Sequence, residues 1–443
     1  MHTLDQLRSG ALAGITRLEL RGGLREFPPE IFTLADSLEI LDLSGNQLSC
    51  LPDDLPRLHK LRVIFCSDNQ FTELPAVLGQ CPQLSMVGFK ANRIAHVPAQ
   101  ALPPQLRWLI LTDNAITELP AELGQCTQMQ KLMLAGNQLS ALPPELANCK
   151  RLELLRISAN QLSELPAWLL QLPRLAWLAY AGNPFTRTLE AQALAQSPTP
   201  HMAWTQLQLQ QLLGQGASGV IHQAALRTHP GEQARQVAVK LFKGAITSDG
   251  LPDCEMGACM HVGQHPNLVG AIGRISEHPN GTPGLVMPLM PSELRNLAGP
   301  PSLASCTRDV YAADFRIALN TLLRWVHGLA SAVCHLHARG VTHGDLYAHN
   351  ILCAPQGEAL LGDFGAASFF SPTDTTWAEG VQRLEVRAFG YLLQELLQRC
   401  DATNALETLQ ELERIADQCV QDIPAQRPLF THLMSSLPVQ EVS

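Results

Sequence analysis

Residues 341–352 read Val-Thr-His-Gly-Asp-Leu-Tyr-Ala-His-Asn-Ile-Leu and hold an acid and an amide five positions apart, Asp345 and Asn350. Asp363-Phe364-Gly365 follows eleven residues past the end of that stretch. A carboxylate can take the proton of a hydroxyl, while an amide and a second carboxylate offer the hard oxygen ligands that Mg²⁺ prefers. These types in this order describe a phosphate and divalent-metal site, and the rest of the chain must supply what positions it.

At 443 residues the chain is longer than one hydrophobic core usually serves, so two or three domains are expected. Charged residues make up only 16% and the net charge is −9, with no Lys/Arg stripe, which argues against a nucleic-acid partner. The first ten residues lack an apolar stretch of the kind that directs secretion, and no run of about 18 apolar residues occurs to span a membrane. The twelve cysteines form no CxxC pair, and Cys81, Cys126 and Cys149 recur at one position of a repeat, as small core hydrophobes do. The expectation is a cytoplasmic protein with no membrane contact.

The first half repeats. Asparagines at 46, 69, 92, 114, 137, 160 and 183 are spaced by 23, 23, 22, 23, 23 and 23 residues. Each closes the same phrase, as in Leu38-Glu-Ile-Leu41-Asp-Leu43-Ser-Gly-Asn46. This L-x-x-L-x-L-x-x-N pattern resembles leucine-rich repeat proteins, with Ile15–Leu20 opening an atypical first repeat. One repeat cannot bury its leucines alone, so neighbours must stack into a solenoid. The asparagines are expected to satisfy backbone groups where the chain turns inside the stack. One outward column of the strands reads Ile40, Val63, Met86, Trp108, Lys131, Leu154 and Trp177. Its six apolar members are expected to form an exposed stripe roughly 30 Å long that binds a protein segment, another subunit or this chain's own second half.

After Asn183-Pro184 the phrase is lost, and residues 186–203, which include Ser197-Pro-Thr-Pro200, read as a connector. Beyond it, Gly214-Gln-Gly216-Ala-Ser-Gly219-Val220 is followed by strand-like residues and then by Val237-Ala238-Val239-Lys240. Strand, glycine loop, strand and a lysine on a third strand, followed by Asp345, Asn350 and Asp363 in that order, resemble the protein kinase family.

The resemblance implies a site, residue by residue. Gly214, Gly216 and Gly219 would cover the phosphates of ATP, and Lys240, paired with Glu255, would hold them. Val220, Ala238 and Leu352 would enclose the adenine, with Met287 and Met290 on the connection between lobes. Asp345 would accept the substrate proton, and Asn350 and Asp363 would hold Mg²⁺. Trp377-Ala378-Glu379 would end the activation segment, with Glu379 in a buried ion pair with Arg427. The expected fold is an α/β leucine-rich repeat solenoid (1–185), a linker (186–203) and an α+β bilobal kinase-like domain (204–443).

Three departures qualify the resemblance. Gly344 stands where the family's His-Arg-Asp phrase has arginine, which implies a loop not switched by phosphate. Tyr347 stands where serine/threonine kinases place lysine, two residues after the acid. His349 stands at one of the positions where tyrosine kinases place arginine. An active kinase, serine/threonine-directed, is the leading expectation; a nucleotide-binding pseudokinase scaffold and a repeat-based interaction protein are the alternatives.

Overall fold

The computed structural model describes all residues except 198, 199, 217, 228, 230–232, 355, 356, 402–404 and 439–443. Pro198 and Thr199 of the connector and Ala217 of the glycine loop thus lie outside the described residues. The chain forms two compact units, Met1–Leu172 and Pro173–Ser443.

In the first unit a short helix α1 (Leu4–Arg8) precedes seven three-residue strands. They are β1 (Arg17–Glu19), β2 (Ile40–Asp42), β3 (Val63–Phe65), β4 (Met86–Gly88), β5 (Trp108–Ile110), β6 (Lys131–Met133) and β7 (Leu154–Arg156), paired in parallel in chain order. A 3₁₀ turn follows each strand, and most of these turns start directly after a proline (Pro75, Pro98, Pro120, Pro143, Pro166), whose fixed φ suits that entry. The middle residue of each strand, from Leu18 and Leu41 through to Leu155, is buried.

The asparagines do what their spacing implies. Asn69 donates from Nδ2 to the carbonyls of Leu43 and Cys66 and accepts the Leu48 N–H at 2.9 Å. Asn92, Asn114, Asn137 and Asn160 repeat that pattern one unit further each time. The residue before every one of the seven asparagines has a positive φ: Gly45, Asp68, Ala91, Asp113, Gly136, Ala159 and Gly182. A left-handed residue is what aims each amide back into the stack.

The stripe departs from expectation. Val63, Met86, Leu154 and Trp177 are buried, and only Ile40 and Trp108 are half-exposed. Register places Met86, Trp108 and Lys131 side by side, and the Lys131 ammonium lies 4.6 Å from the Trp108 ring centroid.

The second unit opens with β8 (Trp177–Ala179), the strand of the last repeat phrase, then helix α2 (Arg187–Gln196) and β9 (His201–Ala203). Next come β10 (Leu207–Gln215), β11 (Gly219–Leu226), β12 (Arg235–Phe242), α3 (Pro252–Val262), β13 (Gly273–Ser276) and β14 (Gly284–Pro288). These strands form one sheet in the order β10-β11-β12-β14-β13-β9, cored by Ala224, Val237, Val239 and Val286.

A mostly helical part follows: β15 (Arg295–Asn296), β16 (Ile317–Ala318), α4 (Leu319–His337), β17 (Val341–Thr342), β18 (Ile351–Cys353), β19 (Ala359–Leu361), β20 (Ser368–Phe369), α5 (Thr375–Leu397), β21 (Cys400–Asp401), α6 (Leu406–Cys419) and α7 (Phe430–Ser436). Among the described residues no helix is long and apolar enough to cross a membrane.

One expectation fails inside α5. Trp377-Ala378-Glu379 does not end an activation segment; it lies in the first turns of a continuous 23-residue helix. Glu379, nearly half exposed, therefore meets Arg383 one turn on, at 2.8 Å, and not Arg427. Arg427 is buried and gives its N–H groups to the carbonyls of Gln421, Arg383 and Pro173. Helical geometry supplies Glu379 with a partner at i+4, so no distant cation is needed.

Candidate active site

The glycine loop joins two antiparallel strands. Gln215 is the last residue of β10 in register, opposite Val220, and the Gly216 N–H closes on the Gly219 carbonyl at 2.9 Å. A Cβ on Gly214 or Gly216 would meet nothing within 4 Å, so both face open space. Gly219 differs: its Cβ would lie 2.6 Å from the Leu241 carbonyl, so glycine is required there for β11 to approach β12. Further along the sheet Ala238 of β12 stands opposite Met287 of β14. Ala238 is buried, while Val220, Met287, Met290 and, on β18, Leu352 are half-buried.

Lys240 of β12 is nearly enclosed and pairs with Glu255 of α3; Asp363 Oδ1 lies 3.5 Å from the same ammonium. Burial alone would favour the neutral amine, but the charges of Asp363 and Glu255 outweigh it and raise the lysine pKa. Burial pushes Glu255 up to about 7, against the pull of Lys240. Asp253, the other acid at the start of α3, accepts from Arg274 through its backbone carbonyl at 3.2 Å. Asp363 itself holds φ +56 and accepts the Gly365 N–H at 3.3 Å. Non-glycine residues held in the left-handed region concentrate at functional sites.

The loop 343–350 is fixed from several sides. His343 is buried, with its Nε2 2.9 Å from the Gly362 carbonyl and its Nδ1 3.3 Å from the Asp345 backbone nitrogen. Asn350 Nδ2 donates to Asp345 Oδ2 at 2.7 Å and to the Asp345 carbonyl at 3.0 Å, so the acid and the amide are in direct contact. Glu385 of α5 accepts the Gly344 N–H through Oε1 and meets His337 Nε2 through Oε2, both at 2.7 Å. Burial opposes its charge, but His337, His343 and the Gly344 N–H outweigh it and hold the carboxyl below its ordinary value.

The two unusual loop residues are both held. The Tyr347 ring is buried and stacks on Trp177 at 4.1 Å and 8°. Trp177 was expected on an exposed partner face; it is instead packed into the site unit, its Nε1 donating to the Leu346 carbonyl at 3.1 Å. His349 meets Asp309 twice, ring Nδ1 to Oδ1 at 2.7 Å and N–H to Oδ2 at 3.0 Å. Burial works against a charged imidazole, but the Asp309 hydrogen bond and the charges of Asp345, Asp309 and Asp363 prevail and raise its pKa.

The structure therefore brings together Lys240, Glu255 and Asp363, and separately Asp345 and Asn350, as the sequence order implied. Asp309 and His337 were missed, and Trp177 was assigned to a partner face rather than to the Asp345 loop. Asp309 sits in a stretch without periodicity, and Trp177 carries the repeat phrase, so neither displayed a site signal in the sequence.

A mixed sheet carrying a glycine loop and a buried lysine thus stands beside a helical part carrying an acid–amide loop. Residues 207–389 match the family described as protein tyrosine and serine/threonine kinase, and residues 37–58 match the leucine-rich repeat family. The chain thus carries a protein kinase domain preceded by leucine-rich repeats. It is 24% identical to the tyrosine-protein kinase receptor TYRO3 of Mus musculus over 274 residues, covering 52% of this chain and 31% of that one. A probable serine/threonine-protein kinase of Arabidopsis thaliana is 31% identical over 106 residues, 24% of this chain and 13% of the relative. The chain spans about a third or less of the relatives it matches.

Proposed function

We propose that the chain is an ATP-dependent protein kinase directed to serine or threonine hydroxyls, working in the cytoplasm, whose repeats engage a protein partner or substrate. The observation that carries this reading is the Lys240 ammonium held between Glu255 and Asp363, with Asn350 on Asp345. In that role Lys240 binds the nucleotide's phosphates and Glu255 orients it. Gly214 and Gly216, which have no side chain and open space above them, let backbone approach the same phosphates. Asp345 accepts the proton of the substrate hydroxyl.

The donor set suits Mg²⁺: one carboxylate, Asp363, and one amide, Asn350, both with hard oxygen atoms. Among the described residues no group of three His, Cys, Asp or Glu gathers to cage a metal. When bound, the metal neutralises charge on the transferring phosphate. Near the same loop, His349 on Asp309 places an imidazole with a raised pKa at one of the positions where tyrosine kinases place arginine.

The alternative, a nucleotide-binding scaffold with little turnover, is favoured by one observation. Tyr347, where serine/threonine kinases carry the loop lysine, is buried under Trp177 and brings no positive charge. Thermal melting with and without Mg·ATP tests the nucleotide site shared by both readings. Stabilisation of the wild type that is lost in Lys240→Met supports it, and the same melting curve with and without nucleotide rejects it.

A further inference from the structure

We propose that β8 is a fixed brace for the loop that carries Asp345, with Trp177 as its positioning residue. The proposal rests on the kinase reading only for its effect on turnover. Three observations converge on it. Trp177 holds the loop at two consecutive residues, by the hydrogen bond to the Leu346 carbonyl and by the stack on Tyr347. Tyr391 also stacks on Trp177, at 5.7 Å between ring centroids, and the Arg308 guanidinium lies 5.3 Å from the Trp177 ring, so the indole is packed by three neighbouring side chains.

Second, the loop residue next to Asp345 is shaped to admit β8. Gly344 has φ +72, and a Cβ there would lie 2.7 Å from the Leu178 carbonyl and 2.5 Å from the Ala366 carbonyl. Any side chain at 344 would displace the strand. The space that a side chain at 344 would enter is bounded by the Leu178 and Ala366 carbonyls. Third, β8 is itself anchored. The Tyr180 N–H donates to Ser368 Oγ at 3.0 Å, beyond Asp363-Phe364-Gly365, and Arg427 holds the Pro173 carbonyl. The strand therefore ties the loop of Asp345 to the segment after Asp363 without any phosphorylated residue.

The physical consequence is preorganisation. A stacked indole with a satisfied N–H orders a loop whose reacting acid must be held to within a fraction of an ångström. This contact does not touch nucleotide or acceptor, so its loss should lower kcat and leave the KM for ATP unchanged.

The test uses the full chain with Trp177→Ala and the milder Trp177→Phe, which keeps a stacking ring and loses the N–H donor. Two readouts are taken: steady-state phosphotransfer, and amide hydrogen exchange over 343–350 compared with 235–262. The expected result is a fall in kcat of about ten-fold or more for Trp177→Ala. The KM for ATP stays within about two-fold, exchange is faster at 343–350 only, and Trp177→Phe lies between. Unchanged exchange at 343–350 in both variants overturns the proposal, as does a KM for ATP that rises in step with the loss of kcat. Should the wild type transfer no phosphate, the kinase reading falls and the exchange comparison still decides the brace. Should Trp177→Ala not fold, Trp177→Phe carries both readouts.

Discussion

Gly344 and Leu178 are locked by sterics: a Cβ on the glycine would sit 2.7 Å from the leucine carbonyl oxygen. The φ of +72 at Gly344 adds to that constraint, since L-residues with side chains pay about 1–2 kcal/mol there. Gly344→Ala should therefore lower stability by about 2–4 kcal/mol, the strain and the clash together. Gly344→Arg, which restores the family's usual residue, should be worse still. Chemical denaturation of the second unit's signal checks both; an Arg variant as stable as wild type would mean that the strand yields freely.

Glu385 offers a pH test. Its folded pKa lies below the ordinary value of 4.5, so its contribution to stability is present above pH 4.5 and is lost as pH falls through the folded value. Glu385→Gln should cost about 1–3 kcal/mol near pH 7, because Gly344 and His337 lose a charged acceptor. The difference between the two proteins should shrink as pH drops below 4.5. Melting temperatures from pH 7 to pH 3.5 measure it, and a gap that stays constant over that range contradicts the assignment.

The repeats contain built-in strain of a different kind. Ala91 and Ala159 precede Asn92 and Asn160 with φ of 52 and 54, where Gly45, Gly136 and Gly182 serve in sister repeats. Ala91→Gly and Ala159→Gly should be neutral or stabilising by up to about 1 kcal/mol each, since relief of the left-handed strain offsets the added freedom of the unfolded chain. Gly136→Val should be destabilising. Urea midpoints of the three variants decide, and a clear loss in both alanine-to-glycine variants would refute the strain.

The helix α2 lies against α3, which carries Glu255. A Cβ on Gly257 of α3 would meet Leu194 Cδ2 at 3.3 Å, and Ser197 Oγ is 3.1 Å from His261 Nδ1. Leu194→Asp places an acid near Asp253 and should loosen that packing. The expected effect is a rise in the KM for ATP of about two- to five-fold, equivalent to about 0.5–1 kcal/mol, with kcat at saturation little changed. An unchanged KM would show that α2 does not support the Lys240–Glu255 pair.

The repeat half was legible because its signal is local and repeated: a leucine period fixes the strands, and one asparagine per period fixes the turns. The Lys240–Glu255–Asp363 cluster and the Asp345–Asn350 contact were legible as an ordered set of residue types. What stayed hidden depends on tertiary placement. Trp177 obeys the repeat phrase, and nothing in its spacing shows that Tyr347, 170 residues on, will cover it. Glu379 and Arg427 were paired by analogy, yet the helix from Thr375 to Leu397 gives Glu379 a nearer cation. Asp309 has no periodic context at all and becomes visible only through His349.

Phosphotransfer from labelled ATP to a generic protein acceptor, measured for wild type, Asp345→Asn and Asp363→Ala side by side, tests the kinase assignment most directly. The wild type should transfer label with Mg²⁺, Asp345→Asn should fall by about 10²–10⁴-fold as the proton acceptor is lost, and Asp363→Ala should fall to background. Equal transfer by all three proteins, or none by the wild type, would contradict it.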